Sequence, residues 1–182
     1  YLNLFLALKQ DPNAAVLDTA QRQIEKIDAS IVTDEDRAQF DAVLRRQLDP
    51  VYKALGSPVK GESFDRQQLR GTLFEILGAA KDPAVLTEAN QVTSGVYPAS
   101  VPTDKTRDSA LSDSAVRVAS ANGDAALYDR VLAASKDATD PGLQSQALRT
   151  LARFRDPALV TRTLDYAVSG QVRNQDSWVI LA

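Results

Sequence analysis

No cysteine, histidine or methionine occurs anywhere in the 182 residues. Without cysteine there is no disulfide framework, no thiolate nucleophile and no cysteine metal site. Without histidine the commonest general base and the commonest zinc ligand are gone. Neither a Ser-His-Asp nor a Cys-His arrangement can be assembled. Glycine-rich phosphate loops of the GxxxxGK[ST] or GxGxxG type are absent too. A basic surplus is also missing. The 21 Lys and Arg stand against 24 Asp and Glu, a formal charge of −3, so no nucleic-acid partner is expected. The longest apolar runs, Leu4 to Leu8 and Trp178 to Ala182, are five residues each, too short for a membrane span. The chain opens on Tyr1-Leu2-Asn3-Leu4 instead of methionine. It therefore reads as a fragment of a longer protein or a trimmed chain, and its start says nothing about a signal peptide.

What is present is helical punctuation. Apolar residues make up 44% and charged residues 25%, which is ordinary for a soluble globular protein and enough for one sizeable core. Of the eight prolines, five follow aspartate: Pro12, Pro50, Pro83, Pro141 and Pro157. An aspartate caps a helix by accepting from an orphan backbone N–H, and its charge suits the positive end of the dipole. A proline fits the first helical position, where its missing N–H is not needed. Asp11-Pro12, Asp82-Pro83, Asp140-Pro141 and Asp156-Pro157 are therefore read as helix starts. Asp49-Pro50 sits inside an apolar pattern from Phe40 to Leu55, where a kink or short break is expected.

Between these marks the apolar spacing is that of a helix face. Leu17, Ala20, Ile24 and Ile27 form one stripe. Thr33 with Asp36 resembles a capping box, and Phe40, Val43, Leu44, Leu48, Tyr52 and Leu55 follow it, with Gly56 as the stop. Further stripes are Leu69, Leu73, Ile76 and Leu77, then Val85, Leu86, Ala89 and Val92 up to Gly95. Residues 94–104, rich in Pro, Ser and Thr, are read as a loop. After it come Leu111, Ala115, Val118 and Ala119, closing at Asn122-Gly123. Leu127, Val131 and Leu132 come next, then Leu148, Leu151 and Phe154. Leu159, Val160, Leu164, Ala167 and Val168 form the last long stripe. No segment sustains the period-two alternation of a strand. Asp82-Pro83-Ala84-Val85-Leu86 and Asp156-Pro157-Ala158-Leu159-Val160 lie 74 residues apart, twice 37, a spacing that suits two helix-pair repeats. The expected fold is all-α, residues 1–182 forming one domain as an α-α superhelix of HEAT-like antiparallel helix pairs. A compact bundle is the second choice.

Few candidates for chemistry survive. Two carboxylates could run glycoside hydrolysis, but 24 acids give that idea no discriminating power. The polar stretch DYAVSGQVRNQDSW, 165–178, is read as a joint between two helices. Gly170 ends the first, Asp176 caps the second, and Arg173 bonds the exposed carbonyls or a nearby acid. Arg149 and Arg153, four apart on one expected helix with Arg155 and Arg162 close by, are read first as a solvated face pairing with Asp156 and Asp165. The sharper alternative is a basic strip that holds a peptide carboxylate. Trp178, the only tryptophan, is expected in the core.

Three stretches taken together resemble one family. They are FDAVLRRQLDPVYKALG (40–56), AVRVASANGDAALYDRVLAASKDA (115–138) and ALRTLARFRDPALVTRTLDYAVSGQVRNQD (147–176). They are similar to the C-terminal helical domain of the aminopeptidase N and puromycin-sensitive aminopeptidase family of zinc metallopeptidases. The most specific piece is Val172-Arg173-x-Gln175-Asp176, with Ala121-Asn122-Gly123-Asp124 upstream. The resemblance implies a zinc aminopeptidase whose catalytic domain lies upstream, with the zinc held there and no cofactor in this chain. It implies a helical superhelix of HEAT-like pairs that covers the active site and shapes the peptide chamber. The family's HExxH helix and GxMEN loop do not occur here, so no catalytic or metal residue is carried over. The chain is expected to begin partway into that domain and to end before its last helices.

Two functions are weighed. The first is this non-catalytic aminopeptidase domain, with the upstream catalytic domain and peptide substrates as partners. Its counterpart is a free-standing HEAT-like scaffold that binds a protein partner.

Overall fold

A computed structural model describes residues 6–8, 11, 13–98 and 109–181. The described residues contain nine α-helices of eight residues or more and no strand: α1 (Ala14–Ser30), α2 (Arg37–Leu55), α3 (Phe64–Ala79), α4 (Pro83–Val96), α5 (Ser109–Ala121), α6 (Ala125–Asp137), α7 (Pro141–Leu151), α8 (Pro157–Val168) and α9 (Asn174–Leu181). The fold is all-α, as the spacing of apolar residues predicts.

The aspartate caps act as their chemistry requires. Asp82 accepts from the N–H groups of Ala84 and Val85 at 3.0 and 3.1 Å. Asp156 does the same for Ala158 and Leu159 at 2.9 and 3.2 Å. The two matched pentapeptides thus open helices with one shared geometry. Asp140 accepts from Gly142 at 2.8 Å, and Asp124 from Leu127 at 2.9 Å. Asp156→Ala should cost about 1 kcal/mol, within the ~0.5–2 kcal/mol range for a lost cap, read as a lower midpoint in urea.

Four starts and stops differ from expectation. α1 is capped by Asn13, which accepts from Ala15 at 3.0 Å, while Asp11 accepts from the Asn13 N–H at 2.9 Å; Pro12 lies outside the described residues. Thr33 accepts from the Asp36 N–H at 3.3 Å and donates to the Asp36 carboxylate at 2.9 Å, which forms a turn, and α2 begins only at Arg37. No break interrupts α2 at Pro50. Pro50 is exposed, and the carbonyl its missing N–H leaves unpaired belongs to the exposed Arg46, where water can serve it. Finally, α4 runs through Ser94 to Val96, so the loop read from 94 starts later; residues 99–104 lie outside the described set. The expected stops at Gly56 and Gly170 stand, with φ of 62° and 79°.

Contacts gather the chain into two compact units. One comprises residues 1–88 with 106–115, the other 89–105 with 116–182. In the first, α3 packs on both α1 and α2. Leu17, Ala20 and Ile24 of α1, Leu44 and Leu48 of α2, and Leu73, Phe74, Ile76 and Leu77 of α3 are all buried. Tyr52 lies edge-on to Phe74 at 5.9 Å. Gly71 matters here, because a Cβ at that position would sit 2.9 Å from the Ser114 hydroxyl oxygen.

In the second unit α6 packs on α7, and α9 rests on α7 and α8. The core holds Tyr128, Val131, Ala147, Leu151, Phe154 and Leu159, and the Tyr97 hydroxyl pairs with that of Thr150 at 3.1 Å. The stripe read on α8 is only half right. Leu159 and Ala167 are buried, but Val160, Leu164 and Val168 face solvent, the last 75% exposed. Thr163 and Tyr166 take their place. Thr163 can be buried because its hydroxyl bonds the Leu159 carbonyl and the Tyr128 hydroxyl at 2.9 and 3.1 Å.

Candidate functional site

The polar stretch 165–178 is a joint. Gly170 turns the chain out of α8, and the Gln171 N–H bonds the Ser169 hydroxyl at 3.2 Å. The Arg173 carbonyl accepts from Asp176 and Ser177 at 2.7 and 3.0 Å. The Ser177 hydroxyl reaches the Ala167 carbonyl at 3.2 Å, tying α9 to α8. Asp176 is not the cap expected of it, since α9 starts at Asn174 and Asp176 sits in the first turn, where its charge still suits the dipole. The Arg173 side chain is exposed. Trp178 is 66% exposed, contrary to the core position predicted. Ile180 holds the buried face of this eight-residue helix, and a residue two positions away points to the other side.

The basic strip is differently built from its sequence pattern. Arg149 is exposed near the end of α7, but that helix stops at Leu151, and Arg153 lies in the following turn, half-buried and engaged. Arg155 is exposed beyond it. Arg162 pairs with neither Asp156 nor Asp165. It donates to Asp129 of α6 at 2.7 Å and lies 4.4 Å above the Tyr128 ring. That pairing spans 33 residues, so no local spacing announces it.

One concave feature was missed by reading the sequence. Between α1, α2 and α3 lies a shallow groove, open to solvent, walled by Ile24, Phe40, Leu44, Ile76, Ala79 and Ala80. Four carboxylates reach it: Glu25, Asp28, Asp41 and Glu75. Asp28 is paired with Arg37. Glu25 accepts from Gln21 at 2.9 Å, and Glu75 accepts from Ser114 and Gln21 at 2.8 and 3.3 Å. Asp41 differs from the others. It is only 9% exposed, and among the described residues no hydrogen bond or ion pair reaches its carboxylate. Burial pushes its carboxyl above the usual carboxylate range, against the pull of Arg45 and Arg37. The signal was present: Asp41, Leu44 and Leu48 share one helix face, so an acid stands where an apolar residue is wanted.

Residues 1–182 match the family described as the ERAP1-like C-terminal domain. The chain belongs to that family. The chain is 26% identical over 189 residues to aminopeptidase 2, mitochondrial, of Saccharomyces cerevisiae, across 98% of its own length. It spans 19% of the length of that relative. The donors among the described residues do not fit zinc. The chain has no His or Cys, and among the described residues no three of its carboxylates converge as ligands would. Nor, among the described residues, is any helix long and apolar enough to cross a membrane.

Proposed function

We propose that this chain is the non-catalytic helical domain of a zinc aminopeptidase, covering the active site of an upstream catalytic domain and shaping the chamber that receives the peptide. The observation that carries this reading is the family match along all 182 residues, with a relative named as an aminopeptidase aligned over nearly the whole chain. The chain has no His or Cys to offer the metal, and in this reading the zinc ligands lie in the upstream catalytic domain. In this reading the helix pairs are HEAT-like, and Arg149 and Arg153 hold the far carboxylate of the peptide through charge-assisted hydrogen bonds.

The test compares the complete protein with this chain. The complete protein should contain zinc and release amino acids from aminoacyl anilides, while the isolated chain does neither. Zinc in stoichiometric amount, or turnover, in the pure isolated chain overturns the reading. In the complete protein, replacing Arg149 and Arg153 with alanine should raise KM for a peptide with a free C-terminus by about ten-fold, the worth of one charge-assisted hydrogen bond of ~1.5–3 kcal/mol. An aminoacyl anilide, which lacks that carboxylate, should be unaffected.

The other reading, a HEAT-like scaffold for a protein partner, is favoured by one observation. Val160, Leu164 and Val168 form an apolar stripe open to solvent on α8. A zinc-free, inactive complete protein would select it.

A further inference from the structure

Asn122 follows the last residue of α5 and precedes Gly123, and of the five asparagines in the chain it alone stands before glycine. That pairing has a chemistry of its own. A backbone nitrogen that gives its proton to water can attack the side-chain amide carbon of the asparagine before it. Ammonia leaves as a succinimide ring closes, and water then opens the ring at either carbonyl. The balance is water in and ammonia out. The products are aspartate and its isoaspartate isomer, whose main chain is one carbon longer. Glycine has no side chain to shield its nitrogen, and its backbone turns most freely toward the geometry of attack. Asn3, Asn13, Asn90 and Asn174 precede Leu, Ala, Gln and Gln, each of which carries a Cβ.

The fold engages both groups that must meet. The amide of Asn122, an exposed turn residue, donates to the Val118 carbonyl at 2.8 Å. The Gly123 N–H donates to the Ser120 carbonyl at 3.1 Å. Gly123 is also closely packed, since a Cβ there would lie 2.7 Å from Phe154 Cε1 and 2.9 Å from the Ala119 carbonyl oxygen. Phe154 is itself buried. Ring closure therefore waits for the corner between α5 and α6 to open. Afterwards the corner cannot close as before. A carboxylate at 122 turns an acceptor toward the Val118 carbonyl and sets negative charge at the C-terminal end of α5. An isoaspartate displaces Gly123 by one main-chain atom from its fit against Phe154.

We infer that Asn122 is a site of spontaneous deamidation, held in check by the closed α5–α6 corner and weakening that corner when it reacts. The site does not rest on the aminopeptidase reading.

The test ages the complete protein at neutral pH, native or unfolded in guanidinium chloride, and then maps it briefly with trypsin. Cleavage after Arg117 and Arg130 releases residues 118–130, with Asn122 as their one asparagine. Both product forms of that peptide should accumulate at least about ten-fold faster in the unfolded protein, where no opening step limits them. Asn122→Gln keeps the amide but would have to close a larger ring, and should stay unmodified. Hydrogen exchange across 118–130 should run about five-fold faster in Asn122→Asp than in the parent, the effect of losing one ordinary hydrogen bond. Equal rates in the native and unfolded protein, a peptide that stays intact when unfolded, or unchanged exchange in Asn122→Asp overturns the inference.

Discussion

Replacing Arg70 with methionine should cost about 3–5 kcal/mol of stability, read as a fall in the urea midpoint at unchanged slope. Arg70 and Glu62 form an ion pair at 2.5 Å, and each side chain is only 2% exposed. Arg70 also donates to the carbonyl of Gly56, and Arg66 to that of Leu55 at 2.9 Å, so the start of α3 seals the end of α2. Methionine keeps the stem but leaves Glu62 buried with only Arg66, 2.9 Å away and half-exposed, to answer its charge. The pair is not ideal in itself, because Glu62 Oε2 and Arg70 Nε lack partners among the described residues. The double replacement Arg70→Met with Glu62→Leu should therefore recover most of the loss, since removing both charges also removes both desolvation costs. A double variant as unstable as the single one would show that the bonds to the α2 carbonyls, and not the ion pair, hold this corner.

Tyr128→Ala should cost a similar amount, about 3–5 kcal/mol, the range for emptying a buried aromatic site. Its ring is fully buried, stands edge-on to Phe154 at 5.1 Å and carries Arg162 on its face. The hydroxyl pairs with that of Thr163 at 3.1 Å. Tyr128→Phe removes only that last contact and should cost about 1 kcal/mol, because Thr163 still bonds the Leu159 carbonyl. If the phenylalanine variant is as damaged as the alanine one, the hydroxyl network outweighs the ring. Thermal or urea unfolding of the two variants side by side decides between them.

These residues also mark the limit of what was legible in the chain. Asp140 and Asp156 could be read as caps because a cap depends on its own next three residues and nothing else. The stripe of α1 was legible for a related reason, since an amphipathic face of four turns leaves one side to bury. Trp178 and the outer residues of α8 were not. On a short helix with apolar residues on several sides, the neighbours decide which face is covered, and here they chose Thr163 over Leu164. Pro50 does not break its helix because a proline on the wet side of a packed helix costs less than one on the dry side. Arg162 and Asp129, like Tyr97 and Thr150, meet only through the turns between them. Of the site residues, the basic pattern was visible and its helix end was not, while Asp41 stood in plain view as an acid on an apolar face.

The partnerships described here are mostly between helices that follow one another closely: α2 with α3, α1 with α3, α6 with α7, α8 with α9. Such a chain closes short loops as it folds, and short closures are entropically cheap. Each pair can therefore form on its own schedule, without waiting for a distant segment to arrive. Injury should be equally parochial, loosening the turns beside it and fading a helix or two away.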